Sequence, residues 1–284
     1  MSKKPKNLFR LPPPTILSIE TSIFCNGHCV MCPREGVLKQ RRRSMMDEEM
    51  VYRILDEAQE WRPTIQWGWI NEPLGDMRIM DFAKYAQERE MPGWINSNGS
   101  LISPTVTDHL LKSGLSYINF AVDSLDLIKF KHTRPGLDPH QVISKIKYFI
   151  QRNKEEGHPM NVWVSQIVIP GVNDGEFPKF EEFWMQEGAD KVQHPCYRRR
   201  GASHDSTFVV NVPNSYYCYF AENEMNITVD GDVPLCACDA QCLNVQASIK
   251  DGVFDAWNTY GRQRLVSFIR KHGQNKVPFC REHN

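Results

Sequence analysis

Short apolar runs alternate with longer amphipathic runs through the first two thirds of the chain. This alternation is typical of β/α units arranged around a parallel sheet. The predicted strands span residues 15–20, 64–70, 93–97, 117–122, 162–169 and 190–194, and the predicted helices between them span 47–61, 78–90, 104–113, 139–156 and 176–187. Six such strands predict an α/β fold in which the sheet forms a partial (β/α)6 barrel.

The pattern changes after about residue 200. Residues 226–233 alternate apolar and polar side chains around Asp230-Gly231, which indicates a hairpin, and an amphipathic helix is predicted over 256–272. A chain of 284 residues has room for one large domain or two unequal ones. We therefore expect a barrel core over residues 1–205 and a small β-hairpin-plus-helix module over residues 206–284.

The charge balance and the apolar runs restrict the classes of partner. Lys plus Arg number 34 and Asp plus Glu also number 34, so no overall field attracts nucleic acid or a membrane surface. The sequence contains neither a signal-peptide pattern nor an apolar run of membrane-spanning length. We expect a cytoplasmic protein that binds neither nucleic acid nor membranes. In that reducing compartment its nine cysteines indicate metal ligation or catalysis rather than disulfides.

A first group of cysteines, Cys25, Cys29 and Cys32, follows the first predicted strand, at the end of a β/α barrel where active sites are built. Three closely spaced thiolates suit a 4Fe–4S cluster and leave one iron open. We interpret Gly27 as the residue that lets the loop curl. A structural zinc site with His28 as a fourth ligand is the alternative, which the surrounding barrel pattern disfavours.

The spacing Cys-x3-Cys-x2-Cys after a first strand resembles the radical S-adenosylmethionine (SAM) superfamily. The resemblance implies a 4Fe–4S cluster whose open iron binds SAM, reductive cleavage of SAM to a 5′-deoxyadenosyl radical, and removal of a hydrogen atom from a substrate. It also implies an electron donor such as flavodoxin or ferredoxin.

The same resemblance implies a set of SAM-binding residues. Glu72 lies where the family places a carboxylate for the amino group of SAM, although Ile70 and Asn71 replace the two usual glycines. Arg134 lies where the family often has an arginine that pairs with the methionine carboxylate. The other implied cofactor-binding residues are Met31, Ser97, Asn98, Asp123, Ser124, Gln166 and Val168. Singly, each polar residue is equally well explained as a cap or turn residue.

A second group of cysteines lies in the C-terminal module. Cys218 and Cys236 flank Gly231 at a spacing that resembles the opening of SPASM and twitch domains. The resemblance implies an auxiliary 4Fe–4S cluster with Cys280 as a third ligand. His283 replaces the last cysteine of the family pattern, and histidine can ligate iron. The alternatives for the fourth position are Cys238, Cys242 or an open iron, and zinc is the alternative metal.

The expected reaction follows from the resemblance in size and layout to 2-deoxy-scyllo-inosamine dehydrogenases. It implies oxidation of a small molecule such as a sugar, an aminocyclitol or another alcohol. Only 24 residues precede Cys25, which we expect to be too few for a peptide-recognition domain. Cys196, after the sixth strand, is a candidate hydrogen donor or a structural cysteine. Radical epimerisation and peptide crosslinking or thioether formation are alternatives, as is a non-catalytic iron–sulfur or zinc-binding protein.

Overall fold

One parallel sheet dominates the computed structural model, which describes residues 9–169, 171–194, 215–277 and 280. Its strands are β1 (Ile16–Ile19), β2 (Thr64–Trp67), β3 (Gly93–Ser97), β4 (Tyr117–Ala121), β5 (Asn161–Ser165), β6 (Lys191–Gln193) and β7 (Glu224–Ile227). Across the sheet the order is β6-β5-β4-β3-β2-β1-β7, and every pairing is parallel. The predicted partial barrel is confirmed, and a seventh strand extends it beside β1.

Two of the predicted strands end three and four residues earlier than the apolar pattern suggested. β2 ends at Trp67 because Gly68 has a φ of +101°, a left-handed conformation that interrupts an extended strand. β5 ends at Ser165. Beyond it, the side chain of Asn173 accepts from Ile169 N and donates to Ile167 O, so these backbone groups do not continue the hydrogen-bond ladder of the sheet. These early ends leave longer polar loops at the carboxyl edge of the sheet.

Helices follow most of the strands, as predicted for β/α units. They are α1 (Arg34–Leu38), α2 (Glu48–Ala58), α3 (Ile79–Gln87), α4 (Pro104–Leu111), α5 (Leu127–Thr133), α6 (Pro139–Glu155), α7 (Phe177–Glu187) and α8 (Tyr219–Asn223). Ser103 and Asp138 cap α4 and α6 through their side-chain oxygens, and a proline follows each cap. The sequence did not predict α1 and α5, because five and seven residues are too few to show a helical period.

The outer face of the sheet packs against these helices. Ile118 and Phe120 of β4 are fully buried, and the ring of Phe120 meets Phe149 of α6 edge-on with centroids 5.5 Å apart. Val162 and Val164 of β5 are buried in the same cluster. Side chains of a strand alternate between faces, so the intervening residues of each strand belong to the opposite face, which we call the inner face.

The inner face is polar over most of its width. Its amide and hydroxyl side chains include Ser18, Gln66, Asn96, Asn119, Ser165, Gln193 and Asn226. Asn119 Nδ2 donates to Asn96 Oδ1 at 2.8 Å and to Ser165 Oγ at 3.0 Å, and Ser18 Oγ donates to Gln66 Oε1 at 3.1 Å. Hydrogen bonds between neighbouring strands therefore continue through the side chains of this face.

The predicted hairpin over 226–233 is correct in its turn and wrong in its strand pairing. Thr228 N donates to Asp232 O at 3.0 Å, and Gly231 has a φ of +81°. However, β7 pairs with β1, whereas β8 (Asp232–Pro234) pairs antiparallel with β9 (Val245–Ser248). All four side chains of β7 are buried, as is usual for strands of a parallel sheet, and β7 covers an otherwise open edge of β1.

The predicted last helix is two helices, α9 (Val253–Trp257) and α10 (Tyr260–His272). Thr259 begins α10 as its cap, its Oγ1 accepting from Arg262 N at 3.3 Å. Trp257 Nε1 donates to Pro12 O at 2.8 Å, which joins the module to the N-terminal segment.

The predicted boundary near residue 205 lies outside the described residues, as do Cys196 and His283. The division into 1–205 and 206–284 therefore stays a prediction. In the described part of the chain, no helix combines the length and the apolar character needed to cross a membrane.

We expect Phe120→Ala to lower the free energy of unfolding by about 3–5 kcal/mol, because it leaves a cavity beside Phe149. Phe268→Ala is the control, since Phe268 is exposed, and it should change the free energy by no more than about 0.5 kcal/mol. Urea denaturation of the apoprotein, followed by circular dichroism, measures both. Equal effects of the two substitutions would show that the outer face is not packed as described.

Candidate functional site

The three thiols of the first cysteine group lie on the loop between β1 and α1, and each is partly buried. Burial, together with the neighbouring thiols of Cys29 and Cys25, raises the pKa of Cys32 to about 12. Burial is also the main cause of the raised pKa of Cys25 and of Cys29. Thiolates at these positions need positive charge beside them, and the irons of a cluster supply it. The donor set therefore fits a 4Fe–4S cluster.

The cysteine loop is held by the last residue of α5 and by the segment that follows this helix. His28 N donates to Pro135 O at 2.9 Å, and Val30 N donates to Thr133 O at 3.0 Å. These two backbone hydrogen bonds bracket Cys29. The loop is therefore positioned by a segment far from it in sequence.

The glycine that this arrangement requires is Gly136 rather than Gly27. Gly27 does not adopt a positive φ, so the interpretation that it allows the loop to curl is not supported. Gly136 has a φ of +88°, and a Cβ atom on it would lie 3.3 Å from the backbone oxygen of Asn26. A side chain at Gly136 would thus be both conformationally strained and crowded by the cysteine loop.

Glu72, Ser97 and Asn98, three of the predicted SAM-binding residues, lie together. Ser97 Oγ donates to Glu72 Oε1 at 2.8 Å, and Asn98 N donates to Glu72 Oε2 at 2.7 Å. Burial raises the pKa of Glu72 to about 7, and these hydrogen bonds partly oppose the rise. A ligand ammonium would stabilise the charged form of this buried carboxylate.

Asn26 connects this carboxylate site to the cysteine loop, and sequence reasoning missed it. Asn98 Nδ2 donates to Asn26 Oδ1 at 3.0 Å, and Asn26 Nδ2 donates to Ser100 Oγ at 2.8 Å. The only signal in the sequence was its position, directly after Cys25. The spacing of the cysteines therefore does not reveal that a polar residue between them forms hydrogen bonds that position the loop.

Asp123 and Arg134 form a buried ion pair at the carboxyl end of β4. Arg134 Nε and Nη2 each lie 2.8 Å from Asp123 Oδ2, and Arg134 Nη1 lies 3.6 Å from Cys29 Sγ. Burial acts to lower the pKa of Arg134, but the charges of Asp123 and Cys29 outweigh it and raise that pKa. Arg134 therefore stays charged beside the cysteine loop, and its pairing with the methionine carboxylate stays a prediction.

The predicted ribose-contacting residues surround the backbone of Asp123. Gln166 Nε2 donates to Asp123 O at 2.9 Å, and its buried Oε1 has no hydrogen-bond partner among the described residues. Asn173, which the sequence did not single out, donates to the same carbonyl at 2.9 Å. Ser124 Oγ donates instead to Glu176 Oε2 at 2.7 Å. Gln166 thus keeps one acceptor for a ligand hydroxyl.

Met31 belongs to a small apolar cluster beside the loop after β5. It is buried and packs with Ile169, and half-buried Ile167 lies against both. Val168 alternates with these isoleucines and is not in the cluster. An apolar wall for adenine therefore involves Ile169 with Met31, and the assignment of Val168 stays a prediction.

The second cysteine group is partly assembled in the structure. Cys218 precedes α8 and Cys236 follows β8, and both are buried. Burial, together with the charges of Cys218 and Cys238, raises the pKa of Cys280 to about 12. The thiols of Cys218, Cys238 and Cys280 therefore lie within electrostatic range of one another. None of the eight cysteines in the described part of the chain forms a disulfide.

Among the described residues, no group of three or more Cys, His, Asp or Glu side chains is placed to hold a single metal ion. In a 4Fe–4S cluster each thiolate binds a different iron, so the ligand sulfurs are spread more widely than around one ion.

A family model described as the Radical SAM superfamily matches residues 19–183, which is more than half of the chain. The chain belongs to the radical SAM superfamily. Members of this superfamily bind a 4Fe–4S cluster and SAM, so the first cysteine group and the polar loops beside it correspond to the expected cofactor site.

Sequence relatives differ in their reactions. The chain is 24% identical over 182 residues to the tungsten-containing aldehyde ferredoxin oxidoreductase cofactor-modifying protein of Pyrococcus furiosus, a match that covers 62% of this chain and 49% of that protein. It is 31% identical over 311 aligned positions to a GTP 3′,8-cyclase of Desulforamulus reducens, covering 92% and 90%. The chain thus spans about half the length of the first relative.

Solved structures share the fold. The crystal structure of BtrN in complex with AdoMet and 2-DOIA aligns with a TM-score of 0.64 at 16% identity, covering 95% of this chain and 92% of BtrN. At this identity the likeness establishes the fold alone.

We expect Glu72→Gln to weaken SAM binding by about tenfold to a hundredfold, because a neutral amide loses a charge-assisted hydrogen bond to the SAM ammonium. The iron content should not change. Anaerobic equilibrium dialysis with labelled SAM measures the dissociation constant. The matched control is Glu49→Gln on the exposed side of α2, which should bind SAM like the wild type. Equal affinity of the two variants would exclude Glu72 from the SAM site.

Proposed function

We propose that this radical SAM protein oxidises a small polar molecule that carries hydroxyl or amino groups, such as a sugar, an aminocyclitol or another alcohol. The observation that supports this proposal is the polar inner face of the sheet. In the proposal, an auxiliary 4Fe–4S cluster occupies the second cysteine group, and flavodoxin or ferredoxin provides electrons.

The chemistry of the inner face suits a substrate rich in hydrogen-bonding groups. Asn96 is exposed and Gln193 is half-buried, so both can be reached from solvent. Asn226 Oδ1 is buried and has no hydrogen-bond partner among the described residues. An apolar substrate on this face would leave amide groups unpaired, which costs about 1–3 kcal/mol for each group. Hydroxyl and amino groups would pair with them.

Three aromatic rings form a stack on the same face. Tyr117 stacks between Trp94 and Trp163, with centroids 5.0 Å and 4.0 Å away. Lys191 Nζ lies 4.0 Å from the centroid of the Trp163 ring. The amide and hydroxyl residues of β3, β4 and β5 lie two positions closer to the carboxyl edge than these rings. The polar layer therefore lies between the aromatic stack and the cofactor site, where a polar substrate would meet both its hydrogen-bonding groups and the cofactors.

The chain's own residues have separate tasks in this proposal. Cys25, Cys29 and Cys32 hold the first cluster, and Glu72 and Arg134 orient SAM through its amino and carboxylate groups. When bound, the first cluster and SAM would supply a 5′-deoxyadenosyl radical that removes a hydrogen atom from the substrate. The auxiliary cluster would supply an electron acceptor. Oxidation of an alcohol to a ketone also releases the hydroxyl proton, which would pass to solvent water, because the amides and hydroxyls of the inner face can orient the substrate hydroxyl by hydrogen bonds but are not bases.

The first test of this proposal is formation of 5′-deoxyadenosine. Anaerobically reconstituted protein should produce it from SAM and a chemical reductant. Cys29→Ala should lower the yield to background, because two thiolates do not hold the cluster. Liquid chromatography with mass spectrometry measures the product. Absence of 5′-deoxyadenosine with fully reconstituted wild-type protein would refute the enzymatic proposal.

The second test identifies the substrate class. Candidate polyols and aminocyclitols, deuterated at the carbon that bears the hydroxyl group, should transfer deuterium to 5′-deoxyadenosine. GTP and a deuterated peptide mixture serve as competing substrates. If deuterium is transferred only from GTP or only from the peptide mixture, the small-alcohol proposal is wrong. An unchanged redox state of a deuterium-donating alcohol would indicate epimerisation.

We expect Gln193→Leu to raise KM for the substrate by about tenfold, because one hydrogen bond to a substrate hydroxyl is lost. Substrate-independent formation of 5′-deoxyadenosine should not change. Gln186→Leu is the matched control, since Gln186 is exposed on α7, and its KM should equal that of the wild type. Steady-state assays with the substrate identified above provide both values. If KM is unchanged in Gln193→Leu, this end of the inner face does not bind the substrate.

A further inference from the structure

Cys29 and Arg134 face each other across two backbone hydrogen bonds. The backbone N groups on either side of Cys29 donate to the carbonyl groups on either side of Arg134, at 2.9 Å and 3.0 Å. Arg134 Nη1 lies 3.6 Å from Cys29 Sγ, which is a hydrogen-bond distance for the large sulfur atom. The backbone therefore places a guanidinium N–H group directly against one sulfur of the first cysteine group.

The guanidinium is fixed from its other side by a buried carboxylate. Arg134 Nε and Nη2 each lie 2.8 Å from Asp123 Oδ2, and Nη1 is left to face the sulfur. Asp123 Oδ1 accepts from Ile167 N at 2.9 Å, and the carbonyl of Asp123 accepts from two side-chain amides. Because the carboxylate is held at both oxygens, protein contacts alone orient Arg134 toward Cys29.

Burial keeps the charge of this arginine from being screened by water. Arg134 is 5% exposed and Asp123 is fully buried. The ion pair between Arg62 and Glu90 is a contrast, since its two side chains are 64% and 67% exposed. Salt and water screen buried charges much less than exposed ones. The guanidinium of Arg134 therefore acts on the neighbouring sulfur at close to its full strength.

Hydrogen bonds to the ligand sulfurs are among the factors that set the reduction potential of an iron–sulfur cluster. Reduction adds one electron and increases the negative charge on the cluster and its thiolates. An N–H donor with a positive charge stabilises this reduced form more than the oxidised form, so it raises the potential. The carboxylate of Asp123 acts in the opposite direction, but it lies on the far side of the guanidinium from Cys29.

We propose that Arg134 raises the reduction potential of the first 4Fe–4S cluster through its hydrogen bond to Cys29, and that Asp123 limits this rise. This role is separate from the predicted pairing of Arg134 with the methionine carboxylate, because it does not require SAM. The radical reaction begins when a donor reduces this cluster, and a higher potential makes that electron transfer more favourable. The inference concerns the first cluster only and does not depend on the substrate in the proposed function.

The test measures the midpoint potential of the first cluster in the full-length, anaerobically reconstituted protein without SAM. Electron paramagnetic resonance (EPR) spectra of samples poised at a series of potentials give the reduced fraction. The signal of the first cluster is the one that is absent from Cys29→Ala. A signal that persists in this variant belongs to another site and serves as an internal reference for the potential scale.

Three variants have predicted shifts of different sign or size. Asp123→Asn combined with Arg134→Met removes both charges, so neither is left buried alone. At the midpoint potential of the wild type, its ratio of reduced to oxidised cluster should be about tenfold lower, because a hydrogen bond to a charged group is lost. Asp123→Asn alone keeps the guanidinium without its opposing charge, so its midpoint should be more positive than that of the wild type. Arg134→Lys keeps a positive charge, and its midpoint should lie between those of the wild type and the double variant.

Arg62→Met is the matched control, since it breaks an exposed ion pair, and it should have the midpoint potential of the wild type. Circular dichroism and iron analysis confirm that each variant is folded and retains its cluster. An unchanged midpoint in the double variant would overturn the proposal, and so would shifts of the same sign in the double variant and in Asp123→Asn. If the double variant does not retain the cluster, Asp123→Asn decides alone, and a midpoint equal to or below that of the wild type overturns the proposal.

Discussion

The buried ion pair between Asp123 and Arg134 organises the carboxyl edge of the sheet. Asp123 has a φ of +70°, a conformation that costs a non-glycine residue about 1–3 kcal/mol and persists only when its surroundings enforce it. Here its carboxylate binds Arg134 and the backbone N of Ile167, and its carbonyl accepts from two side-chain amides. Loss of one partner of such a pair costs about 3–5 kcal/mol, since the other charge stays buried. Because Arg134 also approaches Cys29, this pair positions the cysteine loop relative to β4 and β5.

The sequence predicted the barrel well because each strand is a short apolar run between amphipathic helices. It predicted the pairing of β7 poorly. A run such as 224–229, which alternates and ends in a tight turn, is equally compatible with a hairpin arm and with a sheet strand. The choice depends on the unpaired edge of β1, far away in the sequence, and local patterns do not contain that information. The broken last helix had a local signal, since Asn258-Thr259 provides a cap inside an apparently continuous amphipathic run.

The residues of the candidate site also divide into those that the sequence predicted and those that it did not. Glu72, Ser97 and Asn98 were predictable as a group, because loops at the carboxyl ends of adjacent parallel strands converge. Asn26 and Asn173 were not, since neither belongs to a spacing pattern. Cys238 and Cys242 were both alternatives in the sequence for the fourth ligand of the second group, and the hydrogen bond that Cys242 accepts from Arg41 is a tertiary contact that spacing could not predict. Sequence spacing therefore identifies residues that belong to a motif. It does not identify residues whose contacts depend on the packing of distant segments.

The position of β7 has a consequence for how the protein is made. β1 has β2 on one side and β7 on the other, and β1 leads directly into the cysteine loop. During synthesis from the N-terminus, one edge of β1 has no partner until the ribosome has released the chain beyond Ile227. An open strand edge is a template for association with other chains. Through most of the synthesis of the barrel this edge of β1 is therefore open to association with other chains, and the strand that leads into the first cysteine group is fully paired only after β7 has emerged.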